Sequence, residues 1–435
     1  METVVLIGGG SSAALSAVRL AERGFRVIAL EKARRGNGSS SRSMAGIRAQ
    51  FGVEETVMGL RYSEWWYAHF HEHLHTPAER AALPVMRQNG YLFLFEDPAY
   101  PDPAWDDTLR QELADAWQQA QVNAAMQRRL GLPVEILPPA EICRQWPHLE
   151  TERLIGATWC PEDGFLIPDM IYLEGFRRAQ ELGVELREQT EVTGARVSGE
   201  RITHLETTQG PVAGDFFVNC TNAWAPRVSQ RIGGMPLPIA PTKRYLYFWK
   251  SGQPVMESER WHRMPMTIYG MGRHRGAHSR PESELLVLAC MHQAPPEPDF
   301  TDEDQDAIRP GFSHLEGVDN FGYYVLEQAA TFMPSLADSG GLVATTSGFY
   351  GMTPDGSPLI GFDARLHNLA HAAGFSGHGL MHAPITAALV EALLAGDVRN
   401  GQVRLPSPFE GHTMNLAAFD PCRDFSQSHK ESHVL

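Results

Sequence analysis

Four consecutive apolar residues running straight into three glycines, Val4-Val5-Leu6-Ile7-Gly8-Gly9-Gly10, leave this chain very few ways to begin. A short, continuously apolar, β-branched run is what a strand buried on both faces of a parallel sheet requires. Helical periodicity from Ala14 to Arg23, closed by Gly24, follows the turn. Within GxGxxA, Gly8 permits the tight turn, Gly10 allows backbone to approach a pyrophosphate, and Ala13 is small enough for close helix-strand packing. Ser11 and Ser12 open the helix, whose free N–H groups favour phosphate. A second strand, Arg26 to Leu30, ends at Glu31, 23 positions after Gly8, followed by Lys32. A carboxylate there accepts ribose hydroxyls and repels a 2′-phosphate. The opening therefore predicts an adenine dinucleotide site.

The remaining composition narrows the partners. With 435 residues, 43% of them hydrophobic, the chain has enough apolar mass for a sizeable core and about two domains. A formal net charge of −15 disfavours nucleic acid and anionic lipid as partners. No apolar run is long enough to cross a bilayer, so membrane insertion is not expected. Five cysteines without a CxxC spacing indicate neither a zinc ribbon nor a disulfide framework. The start lacks the basic region of a secretory signal, and a cytoplasmic protein is expected.

No second glycine fingerprint lies between a strand and a helix downstream, so FAD alone is expected rather than a flavin paired with a pyridine nucleotide. A hydroxyl-rich, basic stretch through Ser41, Arg42 and Ser43 to Gly52 suits a loop along a flavin and its phosphates. Near the end, Gly348 to Gly356 leads through a strand at Leu369 to Ala373 into Gly374-Phe375-Ser376-Gly377-His378-Gly379-Leu380-Met381 and a helix expected from Pro384 to Ala395. Glycine-rich backbone entering a helix again favours concentrated negative charge.

On GGGSSAA at Gly8, GIRAQFG at Gly46, VNCTNAWAP at Val218, MTPDGSPLIG at Met352 and GFSGHGLMHAP at Gly374, the sequence resembles the D-amino-acid oxidase superfamily of flavoproteins, in the branch of sarcosine oxidase, dimethylglycine dehydrogenase and glycine oxidase. The resemblance runs to about residue 400. GIRAQF is also similar to a subgroup that includes a mitochondrial respiratory-complex assembly factor. The resemblance implies an α/β fold: a discontinuous Rossmann-like FAD-binding domain and an α+β substrate domain on an antiparallel sheet. The expected segments are 1–85, 150–235 and 340–405 for FAD, and 86–149 and 236–339 for substrate. Residues 406–435 form a tail without an assigned role.

The resemblance also implies site residues. Cofactor contacts are expected from the residues already named and from Val192, Thr221, Trp224, Gly348, Gly377, His378, Gly379, Leu380 and Met381. Arg48, at the GIR position, is expected to clamp a substrate carboxylate, for which guanidinium offers a bidentate fork. Tyr350 is expected over the flavin, and His292 near the amine, where a histidine sets protonation. Tyr245, Tyr247 and Tyr269 are pocket candidates or core aromatics. Sarcosine oxidase has a flavin-linking cysteine where this chain has Gly348, so noncovalent FAD is expected. It has a second cationic clamp where this chain has Met381. Of four lysines, Lys32, Lys243, Lys250 and Lys430, none lies in the Leu285 to His292 strand that supplies the oxygen-activating lysine of the related oxidases, which tilts the expectation toward a dehydrogenase.

The expected reaction is hydride transfer from the α-carbon of a secondary amine or amino acid to flavin N5, with an acceptor protein or oxygen taking the electrons onward. A flavoprotein kept for assembly, with little turnover, and a 2-hydroxy-acid oxidoreductase are the rivals. Two patterns invite other readings. His71-Glu72-His73-Leu74-His75 matches HExxH, but Pro77 closes the segment and no third ligand follows by spacing, so no metal is expected. Asp302, Asp304 and Asp306 resemble a calcium loop, but Ala307 stands where its glycine turn belongs, and an acidic helix start is expected.

Overall fold

The computed structural model describes residues 1–251, 262–270, 276–282, 285–289, 296–306 and 321–426. The opening strand, Thr3–Ile7, is central in a six-stranded sheet. Arg26–Leu30 and then Glu185–Arg187 lie on one side of it, all parallel. Phe216–Asn219 and Leu369–Ala373 lie parallel on the other side, and Leu359–Phe362 closes that edge antiparallel. The chain leaves the opening strand in both directions, so a crevice opens at the carboxyl ends of Ile7, Leu30 and Asn219, where ligands of such sheets bind.

The opening helix, Ser11–Glu22, packs between Pro168–Glu181 and Gly379–Leu394. Ala13, Ala14 and Ala17 are fully buried in that sandwich. Gly175 approaches so closely that a Cβ on it would lie 3.0 Å from the Ala14 Cβ. Small residues here set the helix spacing.

The helix expected from Pro384 begins instead at Gly379 and contains Pro384. Proline has no N–H to give the carbonyl four residues back. The Tyr67 hydroxyl donates to that Leu380 carbonyl at 2.6 Å, and Ser63 Oγ accepts the Ile385 N–H at 3.3 Å. The helix Glu54–Ala68, which carries both residues, thus repairs the break.

The second layer is an eight-stranded sheet, in order Ser339–Met352, Ala240–Ser251, Leu285–Ala289, Ala277–Glu282, Met266–Tyr269, Tyr91–Glu96, Leu154–Cys160 and Glu135–Leu137. Its pairs are antiparallel except Met266–Tyr269 with Tyr91–Glu96. Two expected boundaries move. Leu154–Cys160 belongs to this sheet, so the chain returns to the first domain after 160 rather than at 150. Ser339–Met352 pairs along Ala240–Ser251, which shifts the last crossing from 340 to beyond 352.

The tail packs on the first domain. Phe419 O accepts the Ile360 N–H at 2.8 Å, covering the sheet edge. Arg423 grips Asp355 with two hydrogen bonds of 2.7 and 2.8 Å, both side chains being buried. Among the described residues, no helix is long and apolar enough to cross a membrane.

Candidate flavin site

The opening turn is held by geometry that only glycine accepts. Gly8 has φ +120°, and a Cβ there would sit 3.0 Å from the Cys220 carbonyl oxygen. Gly10 caps the helix in extended conformation with no side chain of its own, so the N-terminal N–H groups stay approachable. Ser11 Oγ is buried without a hydrogen-bond partner, a polar atom that an anion at the helix end would satisfy.

Glu31 lies beside this turn. Its two carboxylate oxygens accept the N–H groups of Gly9 and Ala33 at 2.7 and 2.8 Å. Burial raises its pKa above the ordinary carboxylate value, against the opposing pull of those two bonds. Each oxygen retains a lone pair for a ribose hydroxyl.

A cavity of about 530 Å³ runs from this turn to Tyr350. Of the expected cofactor residues, Gly8, Gly10, Ser11, Ser12, Glu31, Lys32, Arg42, Ser43, Val192, Thr221, Trp224, Gly348, Gly377, Gly379 and Leu380 line it. Four do not. Ala13 is buried in the helix sandwich, Ser41 is exposed, and Met381 is buried inside the closing helix. His378 is buried edge-on against Phe51, with ring centroids 5.0 Å apart. Arg42 lines the wall but is held by Asp306 at 2.6 Å and by the Gly38 carbonyl at 3.1 Å, which makes it a brace for the loop.

Sequence reasoning missed several contributions, Thr190, Arg227 and Arg231 of the wall among them. Asn222, with φ +48°, accepts the N–H groups of Gly374 and Phe375 at 3.1 and 3.2 Å, tying its own turn to the glycine-rich turn at Gly374. Its place in the VNCTNAWAP stretch, as a residue type that tolerates left-handed backbone, was the available signal. Asp299 to Asp302 and Gln305, in the substrate domain, also form part of the wall. The three aspartates first compared with a calcium loop form the short helix Asp302–Asp306, with Thr301 and Asp304 bonded reciprocally across its start.

At the far end the ring of Tyr350 packs on Gly377, where φ is +89° and a Cβ would come within 2.3 Å of the ring. Burial raises the Tyr350 pKa, so its hydroxyl stays protonated. Arg244, half-buried, stands opposite Gly348 across the strand pair, with its guanidinium carbon 5.6 Å from the Tyr350 ring centroid.

Arg48 departs from expectation: it is 0% exposed and is absent from the cavity wall. Its guanidinium lies 3.8 Å from the Phe51 centroid and 5.2 Å from that of Phe93, donates to the Gln50 carbonyl and bonds Tyr91. Behind it, Glu64 and Asp163 are both buried and hydrogen-bonded to each other. Burial first, then mutual repulsion, raises the Glu64 pKa, and burial raises that of Asp163, so the pair keeps one proton. Asp163 also accepts Ala49 N–H at 3.0 Å and Gln50 Nε2 at 2.8 Å, locking the loop that carries Arg48.

Three histidines nearby are held neutral. Burial lowers His378, His382 and His278, the last two to about 4, and Arg48 pushes each the same way. His292 lies outside the described residues. Tyr245, Tyr247 and Tyr269 are buried in the substrate-domain core. In the HExxH segment, His73 stacks on Trp66 at 5.1 Å and His71 bonds the Leu83 carbonyl; no group of residues able to hold a metal occurs among the described residues.

A cradle of this kind, on this sheet, has a counterpart in known proteins: the model of the DAO family, FAD dependent oxidoreductase, matches residues 3–393. The chain belongs to the DAO family of FAD-dependent oxidoreductases. It is 27% identical over 396 residues to glycine oxidase of Geobacillus kaustophilus (strain HTA426), covering 90% of this chain and 92% of that one. It is 26% identical to FAD-dependent oxidoreductase domain-containing protein 1 of Bos taurus, over 99% of this chain and 86% of the relative. The crystal structure of L-proline dehydrogenase from P. horikoshii superposes with a TM-score of 0.78 at 26% identity, covering 98% and 99% of the two chains. This DAO-family chain thus combines a nucleotide cradle fit for FAD with a buried arginine that differs from the expected clamp.

Proposed function

We propose that this flavoprotein oxidises an amine or amino acid, with noncovalent FAD and with an acceptor other than oxygen. The observation that carries this reading is a continuous cavity joining the nucleotide turn to Tyr350, with two arginines, Arg48 and Arg244, near that end but outside its lining. Bound FAD supplies the hydride acceptor. The chain's own groups do the rest. The opening helix end and the turn receive the diphosphate, Glu31 the ribose, and Tyr350 forms a wall for the substrate. Arg244 sets a positive potential that draws a substrate carboxylate, the charge of the encased Arg48 being offset by the singly protonated Glu64–Asp163 pair, and the neutral histidines leave the amine free of a competing cation. Water then hydrolyses the released imine.

Noncovalent attachment is supported by Gly348, which has no nucleophile, and by Cys220, a cavity-lining thiol that burial pushes up to about 12 and so keeps protonated. A dehydrogenase is favoured because the ammonium of Lys243 is bonded to the Asp304 carbonyl, on the sheet face opposite Arg244.

Anaerobic mixing with N-methyl, cyclic and D-amino acids tests the proposal, with bleaching of the flavin spectrum as the expected result. No bleaching by any of them would favour a role in assembly. Bleaching by 2-hydroxy acids without release of amine or ammonia would replace the amine reading. Re-oxidation faster by air than by an artificial acceptor would overturn the dehydrogenase assignment.

A further inference from the structure

The cofactor cavity has a wall that comes from the substrate domain. Phe300 is 3% exposed, its ring lying 4.1 Å from Phe349 and 5.0 Å from Trp224. Arg227 stacks on Phe300 at 4.4 Å and donates to the carbonyls of Phe300 and Pro298. Asp302 pairs with Lys32 and accepts Trp224 Nε1–H at 3.0 Å. Lys32 directly follows Glu31, and its ammonium sits 4.9 Å from the Trp224 ring. Further along, Gln305 Nε2 donates to the Asn37 carbonyl at 2.7 Å, and Ser347 Oγ donates to the Gln305 carbonyl at 2.7 Å.

The contacts of Asp302 with Lys32 and Trp224 lie at the Glu31 end of the cavity, and Phe300 continues that wall from Trp224 to Phe349. We propose that residues 298–306 form the adenosine-side wall of the cofactor site, and that Phe300 and Asp302 make the protein select an adenine dinucleotide flavin over a mononucleotide. The proposal rests on the cofactor reading above. Phe300 supplies an aromatic edge beside Trp224, and Asp302 fixes Lys32 and the Trp224 indole in place. A flavin mononucleotide ends at its phosphate and has no adenosine to place against this wall. Its affinity is therefore insensitive to these side chains, whereas FAD and ADP both depend on them.

The test uses the whole chain stripped of flavin and titrated with FAD, FMN and ADP, read by flavin fluorescence or, for ADP, by calorimetry. Phe300→Ala and Asp302→Ala are expected to weaken FAD and ADP at least tenfold, to speed FAD release, and to change FMN affinity less than twofold. Asp302→Asn, which keeps the size and removes the charge, is expected to shift affinities the same way with an unchanged melting temperature, which separates a local effect from unfolding. Unchanged FAD affinity, or equal loss for FAD and FMN, would overturn the assignment. Failure of the unmodified chain to bind any of the three ligands would overturn the cofactor reading itself.

Discussion

The two ends of the cavity are built differently. At the nucleotide end, the turn itself is shaped by backbone within one strand-turn-helix-strand unit: Gly8 at φ +120°, the bare Gly10 cap, and Glu31 held by two N–H groups. At the Tyr350 end, side chains from separated strands and the closing helix converge, and their charges are settled by burial and by one another. The first design tolerates little change in backbone shape. The second tolerates little change in charge.

The sharpest way to break the nucleotide end is Gly8→Val. Left-handed backbone and a 3.0 Å clash with the Cys220 carbonyl are expected to yield colourless protein, with FAD affinity lowered about a hundredfold and stability lowered by about 1–3 kcal/mol. Absorbance at the flavin band and fluorescence titration measure this.

At the other end, Asp163→Ala strands the buried donors Ala49 N–H and Gln50 Nε2 and removes the hydrogen-bond partner of Glu64. It is expected to lower stability by about 3 kcal/mol in urea unfolding, since each unsatisfied group costs about 1–3 kcal/mol. Glu64→Gln replaces the shared proton with an N–H donor and is expected to stay within about 1 kcal/mol. Because the Glu64 pKa is raised in the folded chain, its contribution is present at low pH and lost as pH rises through the folded value. Glu64→Gln should flatten that loss; a variant that still destabilises with rising pH in the same window would show that the dyad is not its source.

The two arginines sharpen the comparison further. Arg244→Gln is expected to raise KM for a carboxylate substrate about tenfold, or about 1.4 kcal/mol, with flavin content unchanged. Arg48→Gln, at a fully buried position beside the dyad, is expected to lower the melting temperature as well as the affinity. An effect of Arg48→Gln on KM alone would restore it as the direct clamp.

The smallest effect is graded by pH. Ribose hydroxyls donate to ionised Glu31, so cofactor binding lowers the pKa that burial has raised. FAD affinity is then full above that pKa and falls as pH drops through it, by up to about tenfold per unit. Glu31→Gln should show weaker binding without this slope.

Much of the glycine-turn end of the cavity was legible, because the residues that shape it are adjacent in the chain and each carries a local signal: glycine for backbone shape, an acid at a strand end, a small residue for packing. The closing helix was placed five residues late because proline marks a break in an isolated helix, whereas here Tyr67 and Ser63 satisfy the groups that Pro384 leaves. The boundaries at 150 and 340 slipped because a strand's composition does not name its partner. The wall at 298–306 was invisible for the same reason: an acidic helix start acquires meaning only when Lys32 and Trp224 are brought to it.

Sequence alone thus determined the parallel sheet and the glycine turn, since these rest on short-range steric rules, and the family through the resemblance of its motifs. Tertiary structure alone decided the charge state of the Glu64–Asp163 pair, the enclosure of Arg48, and the substrate domain's share in the cofactor cavity. Desolvation and Coulomb energies depend on distances between residues far apart in the chain, and only folding sets those distances.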